Sequence, residues 1–399
     1  MNTNDKKFIG IELGDPGWMH SFFLPSPAFI WQLFRMPRSI VAIINRIEKC
    51  NDGLLTGVRP SDSEIPHILS GRAKASTEEQ LHAYLAPLTE MIPDDITEDI
   101  QAGGRYFNFG RWRSFLLGMP FNETDNPELI QAIRFLNERI EQEVERYDFW
   151  KKVSESQLND EEKQKALEDD LFSRLLLPDS FSEWLKSDTT ILVAWEKNRP
   201  TDASLAQLDL LVQMDFIFSF LAHLEKGIIH YLRNQLQRPL LWLPDCGQAG
   251  MMYWVLPRME KGKVITPLAQ FLDGMRHLFD KSQEPIPWKK MAKYIPVPET
   301  VMAEGNMAEN QIDAMKKWRK SKILPSADRL TGFIDSFTAD PDERRCLLYL
   351  SHISVALTKL YQHQVKTLQK FHIGDTDVLV ISAYQHYTAH RQSVFHTLA

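Results

Sequence analysis

The sequence predicts a mainly α-helical, multi-lobed protein with a few short strands. Apolar residues return at helical spacing over most of the 399-residue chain. Strand-like runs are short and confined to stretches near Phe8, Ile191, Leu240 and Met251. The composition, 43% hydrophobic and 25% charged, is that of an ordinary globular protein rather than a disordered or fibrous one. A chain of this length exceeds the usual single domain, so more than one packed unit is expected.

Taken in order, Phe8 to Leu13 reads as a strand ended by Gly14-Asp15-Pro16-Gly17. No apolar run long enough for a signal peptide precedes that break, and a cytoplasmic location is expected. Two helices are predicted between Phe29 and Lys49, divided at Pro37. Ser63 to Leu85 reads as two short helices around a Ser70-Gly71-Arg72 turn, with the second starting at Ser76. Gly103 to Arg113 interleaves Arg105, Arg111 and Arg113 with Tyr106, Phe107, Phe109 and Trp112. Such a segment either stacks on exposed bases or is a loop that turns its aromatics inward.

Asn126-Pro127 opens a long helix through Tyr147, and Glu155 to Asp170 continues as an acidic, solvated arm. Pro200-Thr201-Asp202 caps a helix reaching toward Gln237. Its stretch from Leu208 to Leu224 is apolar nearly all round, yet contains Asp209 and Asp215 and is slightly short for a bilayer. It reads as a buried core helix, and no membrane partner is expected. Leu240 to Leu243 and Met251 to Leu256 read as a hairpin, and the proline-rich Gln283 to Thr300 as a linker. Asp340-Pro341 starts a long helix through Lys370. Five regions follow: an N-terminal helical region (1–125), an acidic arm (126–200), a central core with a hairpin (201–285), a basic region (286–345) and a C-terminal helical region (346–399).

Few chemistries find support. Cys50, Cys246 and Cys346 are odd in number and form no CxxC, so three reduced thiols are expected. No GxxxxGK[ST] or GxGxxG is present, so nucleotide chemistry lacks a phosphate cradle. His223 and His230 lie two turns apart, and His386 shares a face with His390, with His396 beyond. Neither set has a full complement of ligands, and no metal or cofactor is expected. No catalytic constellation emerges, which makes an enzyme the third-ranked reading.

The most informative stretch is Gln311 to Phe337. Ile312, Met315 and Trp318 form one stripe of a short helix whose other side and end carry Lys316, Lys317, Arg319 and Lys320. Leu324-Pro325-Ser326 stops it. Ser326 caps the next helix, whose stripe is Leu330, Phe333, Ile334 and Phe337. This corner resembles the second half of the helix-turn-helix of phage-repressor (Cro/CI-type) DNA-binding proteins. Trp318, Lys320, Ser321, Lys322, Pro325, Ser326 and Leu330 fall on the matching positions, and Ser63 to Leu85 is a weaker echo.

The resemblance implies a DNA-binding regulator or DNA-associated accessory protein that contacts duplex DNA through Lys316, Lys317, Arg319, Lys320, Lys322 and Arg329. Ile312 and Asp313 stand where that family reads base edges, so modest sequence preference is expected, or else specificity supplied by a dimer or by the Ser63 to Leu85 copy. The formal charge of −7 excludes a general nucleic-acid coat and makes the expected contact a local patch. The alternative is a helical scaffold that binds a protein partner, or itself, without nucleic acid.

Overall fold

The computed structural model describes residues 24–25, scattered positions from 30 to 65, and then 74–90, 127–177, 203–232, 247–278, 284–297 and 307–396. Among the described residues the fold is mainly α, with a single two-stranded sheet. The chain forms two compact units. One comprises residues 1–121, 139–157 and 195–199, and the other 122–138, 158–194 and 200–399. The strand readings near Phe8 and Ile191, the arginine–aromatic run 103–113, the Ser70-Gly71-Arg72 turn, Cys50 and Cys246 lie outside the described residues.

In the first unit, helix α1 (Ala75–Glu90) packs Leu81 and Tyr84 against Ile44 and Ile65. The Tyr84 hydroxyl donates to Glu48, which also pairs with Arg59 at 3.2 Å, so the apolar cluster is closed by a small polar clasp. Helix α2 (Ile130–Glu155) includes the buried pair Arg146–Glu143, 3.0 Å apart, and buries Ile140 and Trp150.

The acidic arm of the sequence reading is therefore corrected on two counts. The chain breaks at Ser156-Gln157-Leu158, and α3 (Asp160–Arg174) restarts on a capping box between Asn159 and Glu162. Gln164, Leu167 and Leu171 of α3 are buried, since positions three and four residues apart face one side however acidic the other side is.

The second unit is organised around α4 (Ala203–His230), buried on almost every side, with Phe216, Phe218 and Phe220 fully enclosed. Against it pack α11 (Tyr387–His396), α9 (Pro341–Lys370) and the 3-10 turn Pro127–Leu129. Gly227 makes the last contact: a Cβ there would stand 2.1 Å from the Glu128 carbonyl oxygen. Glu225 is buried on α4 and accepts from the Met251 amide (2.8 Å), the Tyr387 hydroxyl (2.6 Å) and Arg391 Nε (3.1 Å).

Of the expected hairpin across Leu240 to Leu256, residues 240–246 lie outside the described residues, and the second strand, Met251 to Leu256, is corrected. Gly247–Trp254 is a 3-10 segment in which Met251, Met252 and Trp254 are buried, and Val255 follows. Buried positions three apart suit a three-residue turn, not an alternating strand. The hairpin lies further on, between β1 (Arg258–Glu260) and β2 (Lys263–Ile265), with Arg258 opposite Ile265. Its two-residue turn is Lys261-Gly262, at φ 49° and 71°.

Helix α5 (Pro267–Leu278) packs on α9, and its Gly274 leaves room for the Trp254 indole, which a Cβ would meet at 1.7 Å. The proline-rich segment taken for a linker instead folds into α6 (Trp288–Ala292) and buries Ile286, Met291, Ala292 and Ile295. Helices α7 (Met307–Arg319) and α8 (Ala327–Phe337) follow, and α10 (Thr376–Gln385) lies between α9 and α11. Asp340 caps α9 through the Asp342 and Glu343 amides, and α9 runs from Pro341 to Lys370 as the sequence predicts.

Candidate nucleic-acid interface

Helix α7 buries Gln311, Ala314, Met315 and Trp318, a stripe of three- and four-residue steps, while Ile312 is half-buried. The Gln311 amide donates to the carbonyls of Lys293 (3.0 Å) and Ile295 (2.8 Å), which fastens α7 to the end of α6. Trp318 meets Phe333 of α8 edge to face. At the C-terminus of α7, Ser321 takes a left-handed conformation, φ 50°. Its amide donates to the Trp318 carbonyl (2.9 Å), and the Lys322 amide donates to Lys317 (3.1 Å). That pair of reversed bonds closes the helix and fixes where the next residues leave it.

The Ser321 hydroxyl bonds Thr266 at 2.6 Å, and its carbonyl accepts from Gln362 at 3.1 Å. The corner is thus bolted to α5 and α9, and Ser326 caps α8 through the Arg329 amide.

The six residues singled out from sequence divide into three groups. Lys316, Lys320 and Lys322 are exposed and form no salt bridge among the described residues. Lys317 is exposed but pairs with Asp313 at 2.6 Å, and that hydrogen bond, with Lys316 nearby, holds the Asp313 carboxyl below its ordinary range. Arg319 sits over the Trp288 ring, its guanidinium carbon 3.8 Å from the ring centroid. Burial against the ring, and then Arg276, press it below the usual arginine value, with Asp273 opposing; a guanidinium nonetheless stays charged. Arg329 turns inward: its Nε donates to the Pro296 carbonyl (3.3 Å), and its guanidinium sits 5.7 Å from the Trp318 ring. It supports the corner rather than lining it.

Sequence reading missed the neighbours. Arg276 stacks on the same indole at 4.3 Å, held by Asp273 at 2.9 Å and the Ile286 carbonyl at 2.8 Å. Two guanidinium groups thus share Trp288, and of the two only Arg276 is salt-bridged to Asp273, whose charge also acts on Arg319. Lys289 and Lys290 of α6 and Lys293 at its C-terminal cap are exposed. The clustering of lysines in Trp288-Lys289-Lys290-Met291-Ala292-Lys293 was the available signal, hidden by the flanking prolines.

The remaining candidates hold no comparable surplus of charge. A cavity of about 480 Å³ is lined by Tyr231, Tyr349, Arg344 and Arg345, among others. There Arg344 is paired with Asp335 at 2.5 Å, and Arg345 lies 3.5 Å from the buried Glu128. His386 bonds the Leu176 carbonyl at 3.1 Å, His390 is buried on the Ser219 hydroxyl at 3.0 Å, and His223 stacks on Phe135 while His230 is exposed. Among the described residues no group of three His, Cys, Asp or Glu side chains is placed to hold a metal ion. Cys346 is a buried free thiol, which burial pushes up to about 12.

Comparisons of the chain with protein-family models, with curated proteins and with solved structures returned no match.

Proposed function

We propose that this protein binds duplex DNA, docking the α7–α8 corner on the phosphate backbone as a regulator or accessory factor. One observation carries the reading: Lys316, Arg319, Lys320 and Lys322 gather at a rigid corner and none is salt-bridged to a carboxylate among the described residues, in a chain whose net charge is −7. Surface cations left unneutralised in an acidic protein favour an external polyanion. Arg319 is pre-oriented by Trp288, which lowers the entropy lost when its donors engage a phosphate. The α6 lysines extend the same charge. Base reading is weak, because Asp313 is engaged with Lys317 and Ile312 is half-buried, so contacts position the protein without specifying sequence.

The test is a fluorescence-anisotropy titration of a duplex over a range of salt concentrations. Each phosphate contact contributes about 0.9 to the slope of log affinity against log salt, so the variant K316Q/K317Q/R319Q/K320Q should bind with a slope shallower by up to about 3.6. Lys316, Lys317 and Lys320 are exposed and off the buried stripe, so their replacement should leave the melting temperature close to that of wild type, while R319Q gives up the Trp288 contact and should lower it modestly. No binding by wild type at low salt, or an unchanged variant, overturns the proposal in favour of the protein-scaffold alternative.

A further inference from the structure

We infer that the β1–β2 hairpin is a second phosphate-contacting element, gripping the same duplex to one side of the corner. This rests on the reading of the corner as a DNA-docking surface. The hairpin tip carries Lys261 and Lys263, both exposed and salt-bridged to no carboxylate among the described residues, about the exposed Gly262. Glu260, the nearest acid in the chain, stands opposite Lys263 in the ladder but is salt-bridged to Arg258 at 3.5 Å rather than to that lysine.

The tip is pre-shaped. Lys261 and Gly262 both hold positive φ, the backbone of a tight two-residue turn that matches the twist of its strands. The hairpin is also tied to the corner: β2 ends at Ile265, and the next residue, Thr266, bonds the Ser321 hydroxyl at 2.6 Å. Ser321 lies between Lys320 and Lys322. At about 3.4 Å per strand residue, Lys263 starts roughly 10 Å from that anchor, on the order of one groove width of B-form DNA. A lysine at that reach from the anchor suits a phosphate beyond those that the helix end at the anchor can touch.

The variant K261Q/K263Q separates this inference from the reading beneath it. If the hairpin grips the duplex, the salt slope of the full-length protein falls by about 1.8, two contacts' worth, and hydroxyl-radical footprinting loses protection on one flank while keeping the centre. If K261Q/K263Q binds like wild type while K316Q/K317Q/R319Q/K320Q is weakened, the hairpin inference fails and the corner stands. If wild type binds no duplex, both fall. Loss of binding to phosphatidylserine vesicles in K261Q/K263Q, with DNA binding unchanged, would also overturn the inference, by assigning the tip to an anionic membrane surface.

Discussion

Trp318 meets Phe333 edge to face, ring centroids 5.8 Å apart and planes at 87°. Both rings are fully buried, and this one contact joins the last turn of α7 to the middle of α8. The lysines around Trp318 therefore owe their fixed positions to an apolar contact on the other side of the helix.

Removing the indole should cost stability. Trp318→Ala is expected to lower the free energy of unfolding by about 3 to 5 kcal/mol, through lost burial and the cavity left behind. Trp318→Phe should cost less, since it keeps an aromatic edge toward Phe333. Urea denaturation of both variants checks this, and a Trp318→Ala variant as stable as wild type would contradict the packing.

The Glu225 carboxylate is the second expected weak point. It accepts from a backbone amide, a phenol and a guanidinium, all drawn to one buried site. Glu225→Ala should destabilise by about 3 to 5 kcal/mol, because the Met251 amide and Arg391 lose their acceptor. Gly250→Ala probes the same site from the backbone. Gly250 holds φ 56°, and a Cβ there would stand 2.0 Å from Glu225 Oε1 and 2.4 Å from Arg391 Nε. A methyl group should lower the melting temperature sharply, and thermal unfolding of both variants reads the outcome.

Asp209 on α4 sets a pH dependence. Burial pushes its carboxyl up to about 7, so the folded state holds this proton more tightly than the unfolded chain. Its contribution is fully present below the ordinary carboxylate value and is lost as pH rises toward 7. Asp209→Asn, neutral throughout, should match wild type below about pH 4 and exceed it near pH 8. Asp209 keeps some contact with water, so the gain should be on the order of 1 kcal/mol. Urea midpoints at the two pH values test it; a variant less stable near pH 8 would refute it.

What the sequence determined by itself was local. Helical periodicity gave the class of fold, Asp340-Pro341 gave the start of α9, Ser326 gave the cap of α8, and the stripe through Met315 and Trp318 gave the buried side of α7. Each depends on residues within a turn or two of one another, where propensity, capping and spacing act directly. Burial inside an acidic helix, as with Arg146–Glu143 or Leu167, was not legible, because it depends on what packs from elsewhere in the chain. The hairpin was misplaced for a related reason. The large apolar residues of Met251 to Leu256 resemble a strand until neighbours bury them three apart, while the polar run at Arg258–Ile265 shows only a Lys-Gly turn.

The candidate interface divides the same way. Its lysines were visible as a cluster, but tertiary packing alone stacked Arg319 on Trp288, turned Arg329 onto Pro296, and brought Thr266 to Ser321 across 55 residues of chain. Charge can be counted along a sequence. Whether it is neutralised, tied down or left facing water depends on partners distant in the chain, and only the folded structure decides which ones arrive.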